Sequence, residues 1–213
     1  GPSRYQGSQG SSVLKVFELT AAATGLNEAN AKKAGLEVDK IILSPMSHAG
    51  YYPGGKLMTM KVVFEKGSYR LLGAQIVGYE GVDKRIDVLA TAIRCGMRVT
   101  ELKDLELAYA PPYSSAKDPV NMAGFMADNI AKGVMKQWYL EDVKTLPRDG
   151  SVILLDTRTP QEFAAGHMDG FVNIPVDELR GRIGELERGK PVYVSCQSGL
   201  RSYIACRILA GYG

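Results

Sequence analysis

The first half of the chain alternates apolar and polar residues, a pattern typical of β-strands that bury one face. Strands are predicted over residues 13–19, 56–65 and 71–79, and the last two form a hairpin. One face of the middle strand carries Met58, Met60, Val62 and Phe64. A short helix after Asn27 ends at Gly35, and a turn-rich loop follows it. The pattern predicts an antiparallel sheet.

Two longer helices are predicted beside these strands. The first covers residues 83–95, has apolar side chains at helical spacing and stops at Gly96. The second has Asp118 as its N-terminal cap and Pro119 in its first turn, and it runs toward Val134. Together with the sheet, these helices predict an α+β fold.

The pattern changes at residue 136, which divides the chain into predicted domains of residues 1–135 and 136–213. In the second domain strands alternate with helices. Residues 152–155 and 192–195 are short apolar runs suited to strands that are buried on both faces. Between them, a capping box with proline in the first turn begins a helix at Thr159. This order predicts an α/β domain with a mainly parallel sheet.

Three side chains that could take part in chemistry follow the two predicted parallel strands. Asp156 and Arg158 come after the first strand, and Cys196 comes after the second. Because the carboxyl ends of parallel strands meet at one edge of a sheet, we expect these side chains to share that edge.

A six-residue loop, Cys196-Gln197-Ser198-Gly199-Leu200-Arg201, connects the second strand to a helix predicted over residues 202–209. The amide groups of a tight loop and of a helix N-terminus form a cup that stabilises negative charge at its centre. Arg201 adds a cation. Both effects favour the thiolate and move the pKa of Cys196 from about 8.5 toward the roughly 3.5–7.5 range of reactive cysteines. The thiolate is the predicted nucleophile.

Composition narrows the classes of partner and site. The 213 residues carry a net charge of +3 without a cluster of lysine and arginine, which argues against nucleic acid or a membrane surface as partner. No apolar run approaches the roughly twenty residues that span a bilayer, and the polar N-terminus does not have the pattern of a signal peptide. Three cysteines without paired spacing favour a reducing compartment, and we expect a cytoplasmic protein. Cys95 and Cys206 lie in apolar helix patterns and are predicted to be core residues, while His48 and His167 have no metal-ligand spacing around them.

Three motifs follow one another in the second half of the chain. They are Asp156-Thr157-Arg158 followed by Glu162-Phe163, the run from Gly166 to Pro175, and the run from Cys196 to Ser202. In these motifs and their order, this part of the chain resembles a rhodanese domain. The resemblance implies a five-stranded α/β fold in which Cys196 carries sulfur as a persulfide and Arg201 assists. The residues that cradle the persulfide are then Gln197, Ser198, Gly199, Leu200 and Ser202.

Three further side chains near the cysteine are interpreted as structural. We interpret Asp156 and Arg158 as a pair that steadies the loops beside the site rather than as catalytic groups, and His167 resembles the structural histidine of the family. Rhodanese domains usually continue into another strand and helix beyond the position of Gly213, so the domain is expected to be truncated at its C-terminus.

A second resemblance covers residues 4–133. It rests on several motifs: Gln9-Gly10-Ser11-Ser12, Thr24-Gly25-Leu26-Asn27-Glu28, His48-Ala49-Gly50-Tyr51-Tyr52-Pro53-Gly54, Gly81-Val82-Asp83-Lys84-Arg85-Ile86-Asp87 and Tyr109-Ala110-Pro111-Pro112-Tyr113. This part resembles the dimerisation domain of the pyridine nucleotide-disulfide oxidoreductases. The best match is the coenzyme A-disulfide reductase branch that carries a fused rhodanese domain, also called NADH-dependent persulfide reductase.

This resemblance implies a homodimer and an intact enzyme that uses FAD, NADH and coenzyme A. This sequence has no Gly-x-Gly-x-x-Gly motif, so we expect this chain alone to bind no cofactor. In the family, two tyrosines reach from the dimerisation domain into the partner's flavin-side active site. The matching loops favour Tyr51 and Tyr109, with Tyr52 and Tyr113 as second choices.

The implied reaction starts with attack of Cys196 on the sulfane sulfur of polysulfide, thiosulfate or coenzyme A persulfide, followed by transfer to a thiol. Gln197 brings no positive charge to the loop, which favours polysulfide or persulfide over the thiosulfate dianion. Two alternatives stand beside this reading. A related phosphatase fold has a similar Cys…Arg loop that is one residue longer, and a non-catalytic dimerisation fragment would carry the rhodanese fold as an inert appendage.

Overall fold

The structure is a computed structural model that describes residues 1–5 and 7–213. The described residues form two compact units, Gly1–Val134 and Met135–Gly213. The first holds an antiparallel sheet with helices, and the second holds a parallel sheet with helices. This confirms the α+β and α/β fold classes that the sequence predicts.

Within the described part of the first unit, five antiparallel strands form one sheet. They are β1 Ser12–Val16, β2 Leu19–Gly25, β3 Val38–Leu43, β4 Met58–Glu65 and β5 Leu71–Gly78. Their order across the sheet is β1-β2-β5-β4-β3. The helices are α1 Glu28–Lys33, α2 Val82–Arg94 and α3 Pro119–Ala131, with a 3-10 helix at Val99–Asp104.

The core of this unit lies between the sheet and the helices α2 and α3. The predicted apolar face of β4 is buried throughout: it consists of Met58, Met60, Val62 and Phe64. Leu89 of α2 and Val120 of α3 are fully buried against the same cluster. Each such side chain contributes about 1.5–3 kcal/mol of transfer free energy, so this face stabilises the whole unit.

The structure corrects two predictions and adds a strand that the sequence did not predict. Residues 13–19 do not form one strand, because the chain turns at Phe17, whose φ is 53°, and β1 and β2 pair as a hairpin. The added strand is β3, which lies before the turn-rich loop predicted at residues 48–55 and pairs with β4 along its whole length. Cys95 is not a core residue: it follows the last turn of α2 as its C-cap and is exposed.

A buried arginine organises the loops at one end of this unit. Arg85 of α2 is 1 % exposed, and its guanidinium pairs with Asp118, the N-terminal cap of α3, at 2.9 Å. The other donors reach the backbone carbonyl oxygens of Gly81 at 3.0 Å, Ser47 at 2.9 Å and Tyr113 at 3.3 Å. One side chain therefore ties α2 to α3 and to both tyrosine-bearing loops.

The charge of Asp118 is maintained by this arrangement. Burial raises the pKa of Asp118, but the hydrogen bonds from Arg85, the Ser114 hydroxyl and the Val120 amide outweigh burial and leave the pKa below its ordinary value. The approach of Arg85 also fixes Gly81, which has a φ of 67° and whose missing Cβ would occupy the place of the Arg85 Nη1 atom. Glycine is required there for both reasons.

In the second unit, the described residues include three parallel strands, β6 Ile153–Asp156, β7 Val172–Asn173 and β8 Val192–Ser195, in the order β7-β6-β8. The helices are α4 Pro160–Ala164, α5 Leu179–Arg182 and α6 Leu200–Gly211. Leu155, Ile174 and Leu179 form a core with Ala205 of α6. The described sheet thus has three of the five strands that the rhodanese resemblance implies.

We expect the Arg85 network to dominate the stability of the first unit. Arg85→Ala should lower its free energy of unfolding by about 3–5 kcal/mol, because Asp118 is left as an unpaired buried charge. Lys84→Ala is the matched control: Lys84 is partly exposed and 4.0 Å from Asp118, and its loss should cost about 1 kcal/mol or less. Hydrogen exchange of the β4 amides measures both effects, and equal protection in the two variants would contradict the prediction.

Candidate functional site

The loop after β8 leads directly into α6, which begins at Leu200, two residues earlier than predicted. Gly199 is the N-cap of the helix and has a φ of 99°, in the left-handed region that favours glycine. This turn brings the amide groups of the loop and of the first helical turn around Cys196. Leu200 and Arg201 belong to the helix, and the side chain of Leu200 is exposed.

Two backbone amides donate to the Cys196 sulfur. The amides of Gly199 and Ser202 donate to Sγ at 3.1 and 3.3 Å. The Cys196 thiol in turn donates to the Ser202 hydroxyl oxygen, with 3.4 Å between the sulfur and that oxygen. The same hydroxyl donates to the Gly199 carbonyl oxygen at 2.8 Å. Of the residues predicted to cradle the sulfur, Gly199 and Ser202 contact it directly.

These contacts favour the thiolate. Burial raises the pKa of the Cys196 thiol, but the Ser202 hydroxyl and the amides of Ser202, Ser198 and Gly199 together outweigh burial and leave the pKa below its ordinary value. Cys206, which lies further along α6 and is half-buried, shows the opposite behaviour, because burial raises its pKa. The pKa values of the two cysteines of this unit are therefore shifted in opposite directions, and a lower pKa favours the thiolate.

Arg201 contacts a carboxylate in this structure. Its Nη1 and Nη2 atoms donate to the two carboxylate oxygens of Glu162 at 2.6 and 2.8 Å. Glu162 is also the capping-box residue of α4, since it accepts from the Thr159 amide at 2.8 Å. The capping box is visible in the sequence, but its bond to Arg201, 39 residues away, is not.

Asp156 and Arg158 form the pair that the sequence predicts. Arg158 donates to both carboxylate oxygens of Asp156, with distances of 2.7–3.0 Å, and to the Gly166 carbonyl oxygen at 2.8 Å. The Asn173 amide group donates to the carbonyl oxygens of Asp156 and Arg158 at 3.0 and 2.9 Å. Asn173 thus also holds this loop: it lies within the Gly166–Pro175 motif, but the motif alone does not indicate its bonds to Asp156 and Arg158.

Cys196 opens into a cleft of about 470 Å³. The cleft is lined by Asp156, Arg158, Gly166, His167, Met168, Ser195, Cys196 and Gln197. His167 stacks on Phe163, with ring centroids 3.8 Å apart, and its Nδ1 lies 3.0 Å from the Phe163 carbonyl oxygen. The carboxyl ends of β6 and β8 supply the polar groups of the cleft, as the parallel topology predicts.

In the first unit, the two favoured tyrosines lie together. The hydroxyl groups of Tyr51 and Tyr109 are 2.6 Å apart, and both side chains are exposed. The hydrogen bond from Tyr51 raises the pKa of Tyr109. Tyr52 packs edge-on against the buried His48, and Tyr113 is exposed. The pairing therefore distinguishes Tyr51 and Tyr109 from the second choices.

A second cleft of about 440 Å³ lies beside these loops. Its lining includes Tyr109, Tyr113, His48, Lys84 and Arg85. The buried Arg85 network thus supports one wall of a cleft that carries a phenol at its mouth.

Residues 1–5 and 7–213 meet the requirements of neither a metal site nor a membrane-spanning helix. No group of three histidine, cysteine, aspartate or glutamate side chains lies close enough to hold a metal ion. Over the same residues, no helix has the length and apolar character needed to cross a membrane.

Two family models match the chain. The model described as pyridine nucleotide-disulphide oxidoreductase, dimerisation domain, matches residues 11–120, and the model described as rhodanese-like domain matches residues 139–213. Coenzyme A disulfide reductase of Staphylococcus epidermidis is 40 % identical over 123 residues, which are 58 % of this chain and 28 % of that protein.

Two solved structures resemble nearly the whole chain. Reduced CoADR-RHD of Bacillus anthracis has a TM-score of 0.93 and 46 % identity over 99 % of this chain, and the NAD-dependent persulfide reductase of A. fulgidus has a TM-score of 0.87 and 40 % identity over 100 %. This chain covers 38 % of each of those proteins.

The dimerisation-domain model matches slightly more than half of the chain, and the rhodanese model matches most of the remainder. The antiparallel and parallel sheets of the two units agree with these two domains. The chain therefore belongs to the pyridine nucleotide-disulfide oxidoreductase family, whose dimerisation domain it carries together with a rhodanese-like domain.

Proposed function

We propose that this chain is part of an FAD- and NADH-dependent coenzyme A-disulfide or persulfide/polysulfide reductase, in which Cys196 carries sulfur as a persulfide. The observation that carries the proposal is the cup around Sγ, where the amides of Gly199 and Ser202 donate at 3.1 and 3.3 Å. A persulfide anion needs the same donors as a thiolate, so one cup serves both states.

Sulfur transfer to the cysteine is a displacement at sulfur. The Cys196 thiolate attacks the outer sulfur of a donor, an S–S bond forms, and the donor's bond to that sulfur breaks with its electron pair leaving on the donor. The product is Cys196–S–S⁻ and a donor shortened by one sulfur. Attack of an acceptor thiolate on the outer sulfur then restores the Cys196 thiolate and leaves an acceptor persulfide.

The acceptor in the intact enzyme is coenzyme A or a redox cysteine beside the flavin. FAD and NADH supply the reducing chemistry there. The residues of this chain do not fit either nucleotide, since the sheet of the first unit is antiparallel and the parallel strands β6 and β8 end at Asp156 and Ser195 without a Gly-x-Gly-x-x-Gly turn. Neither cofactor therefore enters the steps assigned to this chain.

The first unit forms the homodimer and presents tyrosines to the partner's active site. Tyr51 and Tyr109 are the tyrosines assigned to this role, because their hydroxyls already form one hydrogen-bonded pair on an exposed surface. A phenol donates to a thiolate through its hydroxyl and packs against an aliphatic chain through its ring. Such a pair suits a disulfide or persulfide of coenzyme A. The free cysteines agree with a cytoplasmic setting.

A non-catalytic dimerisation fragment is the second candidate. It predicts a cysteine with the environment of an ordinary buried thiol, as at Cys206, where burial raises the pKa. The lowered pKa of Cys196 favours the sulfurtransferase.

The persulfide is tested by loading the protein with polysulfide and measuring its intact mass. We expect one added sulfur atom, release of that sulfur as thiocyanate by cyanide, and reduction of both signals to background in Cys196→Ser, because the nucleophile is gone. The double variant Cys95→Ser/Cys206→Ser is the matched control and should load normally. Equal thiocyanate release from Cys196→Ser and from the unsubstituted chain would contradict the proposal.

The Ser202 hydroxyl is expected to set the pH at which Cys196 reacts. Ser202→Ala should raise the midpoint of the pH profile for iodoacetamide alkylation by about one unit, since a hydrogen bond to a charged group contributes about 1.5 kcal/mol. When Cys196 loses its proton, the Ser202 hydroxyl turns from the Gly199 carbonyl oxygen to donate to the thiolate. Ser202→Ala removes this donor, so the pKa of Cys196 rises and less thiolate exists at a given pH. Ser198→Ala keeps the loop amide and serves as control; the same shift in both variants would contradict the assignment.

The dimer is tested by sedimentation of the whole chain over a range of micromolar concentrations. We expect the mass of a dimer, and the mass of a monomer for a polypeptide of residues 136–213. A monomer at every concentration of the whole chain would overturn the dimerisation role of the first unit.

A further inference from the structure

Both arginines beside the Cys196 cleft are paired with carboxylates. Asp156 holds Arg158 at 2.7 Å, and Glu162 holds Arg201 through both carboxylate oxygens. These four charges sum to zero. The amide cup is therefore the main source of positive potential at the sulfur, and the guanidinium groups add little net attraction for a second negative charge.

We propose that Glu162 is a positioning residue that determines the charge of the sulfur donor that Cys196 accepts. By holding Arg201 in a two-point ion pair, Glu162 neutralises the cation of the loop, so that the site favours donors with one negative charge over dianions. This inference rests on the proposed sulfurtransferase function and names its donor class, persulfides and related monoanionic sulfane-sulfur compounds.

The position of Glu162 is fixed from several directions. Its amide donates to the Thr159 hydroxyl at 3.2 Å, and its carboxylate accepts from the Thr159 amide at 2.8 Å. The bonds to Arg201 lower the pKa of Glu162 to about 2, so the carboxylate is charged at every working pH. Glu162 thus links the first turn of α4 to the first turn of α6, the helix that carries the Ser202 amide.

The charged and titratable groups around the sulfur come from several segments. The loop after β6 contributes Asp156 and Arg158, α4 contributes Glu162, and the segment after α4 contributes His167. Helix α6 contributes Arg201, whose pKa is raised mainly by Glu162 and also by the charges of Cys196 and Asp156. The charge of Cys196 also raises the pKa of Cys206, which lies on α6. Removal of the Glu162 charge makes the net charge of these groups more positive by one unit.

Two donors that differ by one charge provide the test. Thiosulfate reacts as Cys196–S⁻ + S–SO₃²⁻ → Cys196–S–S⁻ + SO₃²⁻. Methanethiosulfonate reacts as Cys196–S⁻ + CH₃SO₂–S⁻ → Cys196–S–S⁻ + CH₃SO₂⁻, so a methyl group replaces one charged oxygen and the transferred atom is the same. Atoms and charge balance in both reactions.

For the whole chain, we expect methanethiosulfonate to have the higher kcat/KM. Glu162→Gln should raise kcat/KM for thiosulfate about tenfold and for methanethiosulfonate about threefold, because the Coulomb energy of the donor scales with its charge. Glutamine is accepted in a capping box, so α4 keeps its cap. The pH midpoint for alkylation of Cys196 should fall in the same variant, whereas a disrupted loop would raise it.

Matched variants separate charge from structure. Glu162→Asp retains the charge and should keep the wild-type ratio of the two donors. Glu185→Gln removes a carboxylate that pairs with Arg182 elsewhere in the unit and should leave the ratio unchanged. Arg201→Gln is a second test, and its outcome does not depend on the folding of Glu162→Gln. This variant should lower the rate with thiosulfate more than the rate with methanethiosulfonate.

The outcomes distinguish this inference from the function on which it rests. If neither donor adds sulfur to Cys196 in the wild-type chain, the sulfurtransferase function fails. If sulfur is added but Glu162→Gln leaves the donor ratio unchanged, or lowers both rates equally, the role of Glu162 fails while the function stands.

Discussion

The first unit depends on the burial of one guanidinium group. A charge without solvent is tolerated only when its donors are all used, and Arg85 meets this condition with Asp118 and the carbonyl oxygens of three separate loops. Two of these segments carry Tyr51 and Tyr109, whose hydroxyls lie 2.6 Å apart on the surface. The buried ion pair is therefore connected through the backbone to the loops of both phenols.

The second unit also contains arginine–carboxylate ion pairs, which lie nearer to the solvent. Asp156 is almost fully buried and holds Arg158, whereas Glu162 and Arg201 are partly exposed and hold each other. The Asp156–Arg158 pair joins the end of β6 to the segment that follows it, and the Glu162–Arg201 pair joins α4 to the helix after β8. The sulfur of Cys196 itself accepts hydrogen bonds from the backbone amides of Gly199 and Ser202.

Local sequence signals were sufficient for the elements with strong periodicity. The strand with Met58 and Met60, the cap at Asp118 and the loop at Cys196 all follow from patterns within a few residues. The hairpin at Phe17 did not, because apolar alternation continues through the turn and hides it. Strand β3 was missed since Asp39 and Lys40 interrupt its apolar run. The pairing of Glu162 with Arg201 joins residues far apart in sequence, so only the fold reveals it.

Gly81 makes the position of a buried charge depend on the absence of one side chain. Its backbone occupies the left-handed region, and a Cβ atom built there would clash with the Arg85 guanidinium. A larger residue at position 81 must strain the backbone and displace a buried charge from Asp118. A single methyl group at this position would therefore disturb α2, the cap of α3 and the loop of Ser47 together, because all of them are joined through Arg85.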